Sequence, residues 1–568
     1  MPTDQRSGVH DPQRDSAATP ANRTEDVAVA ANSSLRQWTI LAEAFVSVAL
    51  ALLAVLLARS IEVSPLDRVG QVSGLAGLQL RFALVALVLV IAVVACTAGR
   101  RERWKVLAVH LVSAGIAGLG TGLVAGAVVI ALRGTSWGLN GPNGDAGTLV
   151  SWARAFLETG STPENYPPAF IHALAWYTEV SGGTPEHSLK VLQIVLTALF
   201  GPAVYLAWRL LLSPTWALGV GVVTALPLID PYKPYTNVML AVLIPVLLLL
   251  VRQLRRSGGM PWRRLLLSGA GFGVAIGAIF LVYSGWFVWS APGLFAAALL
   301  VFPWRTGWSR GLTLIIVTSA VFVLVAHRHL FWLLMAPSSA RDRYYFFDTW
   351  AEPAYIAMWR GDLPGANPGP WPPPGELGGV GLFTILLLVG FAMAIAVGLR
   401  RTIVLALTCI FAGAWLLRFH FGSQMYANDA VQFYPRSTVE LLYCLLLLTG
   451  FAVYYAARSV ATSSSAGWFR SAFTTGSVRT GALVAVVLLI AASVSATGDR
   501  YMPRTDNSAG MLAFNAQVSR QVDGRCSAYT ATWGYGCLDP GGDPRYGELI
   551  RQLNAGAPRP GELPHRVP

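Results

Sequence analysis

The chain has 568 residues, of which 54% are apolar and only 12% charged, with a mean hydropathy of +0.52. A soluble fold of this size has no interior large enough to hide that surface, so a bilayer must take it up. The net charge of +13 does not mark a nucleic-acid binder, because the cations fall in short clusters between apolar runs, as the positive-inside bias distributes them.

Residues 1–36 are rich in Ser, Ala, Asp, Arg and Thr, show no periodic apolar face and lack a signal-peptide layout. They are expected to form a disordered cytoplasmic N-terminus. Apolar runs of spanning length then occur near 38–59, 80–98, 106–132, 189–212, 214–229, 236–251, 265–283, 285–302, 312–335, 379–398, 402–417, 437–457 and 480–496. The predicted fold is therefore an all-α polytopic membrane protein whose transmembrane domain, 37–497, holds about thirteen helices.

Orientation follows from the cations. Arg100 to Lys105, Arg252 to Arg264, Arg305 and Arg310, Arg400 and Arg401, and Arg458 to Arg479 occupy alternate loops, which assigns those loops to the cytoplasm. The segment 167–181 is too short to span, and counting it as a crossing would invert the alternation beyond it. It is expected to lie in the outer interface as a helix begun by Pro167 and Pro168 and anchored by Trp176 and Tyr177. An odd number of spans puts the short tail 498–568 outside, where a disulfide between Cys526 and Cys537 can close one small loop. Cys96, Cys409 and Cys444 sit inside apolar runs as small hydrophobes.

Four outer loops then remain as places for function: 133–188, 230–235, 336–378 and 418–436. In the first, the turn Trp137-Gly138-Leu139-Asn140-Gly141-Pro142-Asn143-Gly144 delivers Asp145 to the start of a helical pattern running through Trp152 and Phe156. A carboxylate there can serve as a helix N-cap, or it can take a proton from an acceptor hydroxyl at the level of a lipid-linked head group. In the third loop, Arg341 and Arg343 stand beside Tyr344 and Tyr345, on the side where cations are disfavoured, and suit either a phosphate or an Arg–Asp surface pair within an interfacial aromatic belt. In the fourth, Arg418, His420, Gln424, Asn428, Asp429, Gln432, Tyr434 and Arg436 form a dense polar set suited to sugar hydroxyls and ring faces, or a solvated loop whose last residues begin the next helix. His327 and His329 flank Arg328 with no Glu or Cys at metal spacing, and no P-loop, GxGxxG after a strand or GxSxG elbow occurs. No cofactor is assigned, and a divalent cation is left open. Asp342, Asp348, Glu352 and Asp429 could assist a divalent cation but carry no ligand motif, so no metal site is assigned.

Taken together, Trp137 to Asp145, then Tyr166-Pro167-Pro168 ahead of an aromatic segment, then Asp429 to Arg436 (DAVQFYPR), resemble the GT-C membrane glycosyltransferases. More narrowly they resemble the actinobacterial galactan 5-O-arabinofuranosyltransferases, over most of the membrane region, with a departure at Ala146, where a polar side chain is usual in that family. The resemblance implies a pentosyltransferase that moves arabinofuranose from decaprenylphosphoryl-arabinose to the galactan of cell-wall arabinogalactan. In that reading Asp145 is the base of an inverting displacement, and Arg341, Arg343 and Arg436 hold the donor phosphate. Asn143, Tyr166, His420, Gln424, Asn428, Asp429, Gln432 and Tyr434 would contact sugar or acceptor. Implied partners are the lipid donor, the galactan acceptor and membrane lipids, not nucleic acid. A lipid-linked sugar transporter or flippase and a non-catalytic glycan-binding scaffold of the cell-wall machinery are the alternatives.

Overall fold

The computed structural model describes residues 21–98, 102–163, 166–335, 382–428, 434–462, 476–530, 536–540 and 542–555. Among these residues the chain is helix and turn with no strand, and ten helices are long and apolar enough to cross a bilayer. The protein is an all-α polytopic membrane protein.

In chain order the helices are α1 (Ala21–Arg59), α2 (Arg68–Ala98), α3 (Glu102–Ala131), α4 (Gly144–Thr159), α5 (Pro168–Ser181), α6 (Pro185–Arg209), α7 (Pro214–Leu228), α8 (Asn237–Arg256), α9 (Trp262–Val282), α10 (Gly285–Val301), α11 (Trp308–Met335), α12 (Leu382–Gly398), α13 (Thr402–Ser423), α14 (Tyr434–Thr462), α15 (Gly476–Arg500), α16 (Ser508–Val518) and α17 (Pro544–Asn554). Each apolar run read from the sequence is a helix, but α7, α10 and the apolar part of α12 fall short of full spanning length. Helix α7 is also irregular, passing through a π-helical stretch, Ala217–Val222, and closing in a 3-10 turn, Leu226–Leu228.

Helix α3 is the axis of the bundle, almost wholly enclosed by α1, α2, α6 and α15. Lipid tails are as apolar as leucine, so packing between such helices depends on close approach of small residues. Gly118 and Gly122 of α3 lie directly against the backbone of Ser47 and Ala51 in α1, with no room for a Cβ. Two cross-loop bonds show which connections share an end. Arg255 donates to Thr402 Oγ1 (2.9 Å) and Arg310 to the Gly258 carbonyl (2.8 Å), so the arginine-rich connections after α8, α10 and α12 lie together. Helix alternation carries α4, α5, the 229–236 turn, the start of α14 and the tail to the opposite end.

Helix α1 begins at Ala21, and its span-length apolar part is Trp38–Arg59. The polar segment 418–436 is less of a loop than expected. Arg418 and His420 complete the last turns of α13, a one-turn helix covers Met425–Asn428, and Arg436 lies in the first turn of α14. Arg418 is fully buried and donates to Ser437 Oγ and Thr438 Oγ1 (2.6 Å each), which draws the two helix ends together.

Candidate functional site

After α3 the chain turns back through Asn140 and Gly141, both in the left-handed region (φ 72° and 57°). Asparagine tolerates that region better than other residues with a Cβ, because its side chain can bond locally. Asn140 does so: its Nδ2 donates to the Asn143 carbonyl (2.9 Å), closing the turn that launches α4. Asn143 is the N-cap by backbone position but makes no side-chain cap, and its own Nδ2 donates weakly to the Asn140 carbonyl (3.4 Å). Asp145 lies in the first turn. Its carboxylate does not cap the helix; it turns outward, half exposed at 52%, and pairs with the ammonium of Lys233, itself 33% exposed.

Lys233 comes from Asp230-Pro231-Tyr232-Lys233-Pro234-Tyr235, the turn between α7 and α8. Two prolines stiffen it by fixing φ. Asp230 Oδ1 accepts from the Tyr232 amide (3.0 Å) and the Tyr501 hydroxyl (3.1 Å), and the Lys233 carbonyl accepts from Thr236 Oγ1 (2.8 Å). Burial raises the Asp230 carboxyl above the ordinary carboxylate range, against the bonds from Tyr232, Tyr501 and the Lys233 backbone, which lower it. Tyr232 staples this turn to the first: its hydroxyl accepts from the Ala146 amide (3.2 Å) and Asn140 Nδ2 (3.3 Å). Buried Gln193 of α6 ties both together from below, accepting from the Leu139 amide (2.8 Å) and donating to the Tyr232 carbonyl (3.0 Å). The Asp145–Lys233 pair thus stands on two mutually bonded turns.

Beside the pair is an aromatic wall. Trp152 of α4 meets Tyr166 with ring centroids 5.0 Å apart, Phe170 of α5 stacks on Tyr235 at 3.9 Å, and the Tyr166 and Tyr235 hydroxyls bond to each other. Burial, then the neighbouring Tyr166, pushes the Tyr235 phenol well up, so it is a neutral hydrogen-bonding group. Tyr283, between α9 and α10, packs against the same cluster, and the Arg436 guanidinium lies 5.5 Å from its ring centroid. Helix α5 starts at Pro168, packs on α4, α6 and α9, and leaves Trp176 64% exposed, as expected of a non-spanning amphipathic element.

Of the residues singled out from sequence, Asp145, Asn143, Tyr166 and Arg436 belong to this connected group. His420, Gln424 and Asn428 are exposed at the same end, with no bond or ring contact among the described residues linking them to the Asp145–Lys233 pair. Arg341, Arg343, Asp429 and Gln432 lie outside the described residues, as does the side chain of Tyr434. Cys526 and Cys537 are joined as a disulfide, Cα atoms 5.2 Å apart. Among the described residues no three His, Cys, Asp or Glu side chains converge as metal ligands. A shallow depression lined by Pro261, Arg263, Arg264, Leu267 and Ser268 lies at the arginine-rich end and involves none of the site residues.

Sequence reading missed Lys233, Tyr232, Tyr235 and Tyr283. Lys233 carried a usable signal, being the sole cation of a six-residue turn on the cation-poor side. No family model matches the chain, and no curated protein matches it.

Proposed function

We propose that the chain is an inverting membrane glycosyltransferase that moves arabinofuranose from decaprenylphosphoryl-arabinose to the galactan of cell-wall arabinogalactan. Catalysis is assigned to the extracytoplasmic end of the bundle, opposite the arginine-rich connections. The observation that carries this reading is a half-exposed carboxylate, Asp145, held by Lys233 on two bonded turns beside the Trp152–Tyr166–Phe170–Tyr235 wall. A base, the half-buried rings of Trp152 and Tyr166 backed by Phe170 and Tyr235, and, at Arg436, a guanidinium are the parts a lipid-phosphate sugar transfer requires.

In the displacement, the acceptor hydroxyl oxygen forms the new bond to the anomeric carbon as its proton passes to Asp145. The bond from that carbon to the phosphate oxygen breaks, and the polyprenyl phosphate leaves with the electron pair. A phosphate needs little acid assistance to depart; cations near it, Arg436 and the sequence candidates Arg341 and Arg343, stabilise the charge it gains.

Transport of the same lipid is the second reading, favoured by ionisable side chains inside the spans such as Glu43 and Arg209. Purified protein with a synthetic lipid donor and a galactan acceptor separates the two. Asp145→Asn is expected to lower transfer by about 10²- to 10⁴-fold while leaving insertion and thermal midpoint unchanged. Transfer at the wild-type rate would remove Asp145 as the base, and lipid translocation without product would favour the transporter.

A further inference from the structure

The tail after α15 does more than end the chain. Buried Gln517 of α16 donates to the Ala131 and Arg133 carbonyls (2.8 and 2.9 Å), satisfying acceptors that the C-terminus of α3 leaves open. Thr135 Oγ1 returns a bond to the Ala516 carbonyl (2.9 Å), and the Asn140 amide donates to the Leu512 carbonyl (2.7 Å). Ser527 Oγ, next to the Cys526–Cys537 bridge, holds Gln517 Oε1 (2.8 Å). Phe514, Val518, Leu538 and Leu549 form a small apolar core with Leu66 of the α1–α2 connection.

Beyond the Asn140 amide bond to Leu512, two side-chain contacts reach from that unit to the two turns of the site. Asn515 Nδ2 donates to Asn140 Oδ1 (2.9 Å) across 375 residues of sequence, while Asn515 Oδ1 accepts from the Tyr546 hydroxyl of α17 (2.6 Å). Tyr501 donates to Asp230 Oδ1 (3.1 Å). Asn140 closes the turn that carries Asp145, and Asp230 closes the turn that carries Lys233. We propose that the tail is a clamp on the catalytic pair, with Asn515 and Tyr501 as positioning residues that fix the Asp145 turn and the Lys233 turn relative to each other.

The activity part of this inference rests on the reading of Asp145 as base; the mechanical part does not. Asn515→Asp keeps the acceptor for Tyr546 but loses the donor to Asn140, and Tyr501→Phe removes only a hydroxyl. Hydrogen–deuterium exchange of the full-length protein in nanodiscs is expected to quicken at 138–147 in the first and at 229–236 in the second. A misplaced catalytic group is costly even at small displacement, so kcat is expected to fall by about tenfold or more with donor KM within about twofold, at an unchanged thermal midpoint. Tyr546→Phe, which leaves the Asn515–Asn140 bond, is expected to behave almost as wild type. Wild-type exchange at both turns in both variants overturns the clamp. Loosened turns with wild-type kcat overturn the positioning role. A wild-type protein that transfers no sugar sinks the functional reading alone, and the exchange result still decides whether the tail holds the turns.

Discussion

Two acid–base pairs sit at opposite ends of the bundle and differ in almost everything but their chemistry. Glu43 of α1 is fully buried and accepts from Arg209 Nε on Oε2 (2.7 Å) and from Arg209 NH2 on Oε1 (3.1 Å), with His110 Nδ1 also on Oε1. That cluster joins α1, α3 and α6, and its carboxylate has no surface left for anything else. Asp145, by contrast, pairs with Lys233 alone among the described residues, has half its side chain in the open, and stands on a footing of turns instead of spans. A buried pair in hydrocarbon must be fully satisfied or the fold fails, whereas an exposed pair contributes little to stability and keeps free lone pairs. Burial of the acid, more than the presence of a partner, separates a carboxylate that holds helices together from one that can take a proton.

The largest effect should come from breaking the buried cluster. Glu43→Ala leaves the largely buried Arg209 without its acid, with the Leu212 carbonyl still bonded to it, and is expected to cost about 3 kcal/mol of stability. Thermal unfolding in detergent would register this, or the protein would fail to accumulate, while any fraction that folds should transfer sugar at the wild-type rate. A midpoint equal to wild type would erase the contrast between the two ends.

A smaller effect, of the opposite kind, is expected at the open pair. Lys233→Ala removes the cation that fixes the direction of Asp145 and should lower transfer by about tenfold, with stability within about 0.5 kcal/mol. Lys233→Arg should restore most of the loss, because charge is kept even though the guanidinium geometry differs. If Lys233→Ala instead destabilises the protein as much as Glu43→Ala does, the pair is structural.

These regions were not equally legible in the sequence. The spans were, because twenty apolar residues in a row admit few other readings, and Pro168 announced the start of α5. Asp145 stood out because its turn is written locally in Asn and Gly. Its partner showed only as a lone cation on the cation-poor side, and the pairing itself was not legible, since nothing local couples Lys233 to a residue that the intervening helices carry to it. The same holds for Asn515 and Asn140, and for Arg418, whose bonds to Ser437 and Thr438 shorten a segment that composition alone renders as loop. Glu43, Arg209 and His110 lie in three separate helices and become a cluster only when α1, α3 and α6 pack.

Asp230 stands between the two extremes and offers the finest test. Burial raises its carboxyl above the ordinary range even though Tyr232 and Tyr501 both donate to it. In the unfolded chain the same group ionises at lower pH, so between the two pKa values the native state holds a proton that the unfolded state has released. Stability therefore falls as pH rises through that window and levels off once the native carboxyl has ionised. Asp230→Asn keeps an oxygen acceptor for the Tyr232 amide and the Tyr501 hydroxyl but has no charge to desolvate. Its thermal midpoint should be flatter than that of wild type just above the ordinary carboxyl range, and higher at neutral pH. Exchange at 229–236 should follow the same pattern, slower in the variant at neutral pH and equal to wild type in acid. Parallel curves for the two proteins would mean that solvent reaches Asp230 as freely as it reaches Asp145, and the turn would then belong with the open pair instead of bridging the two kinds of site.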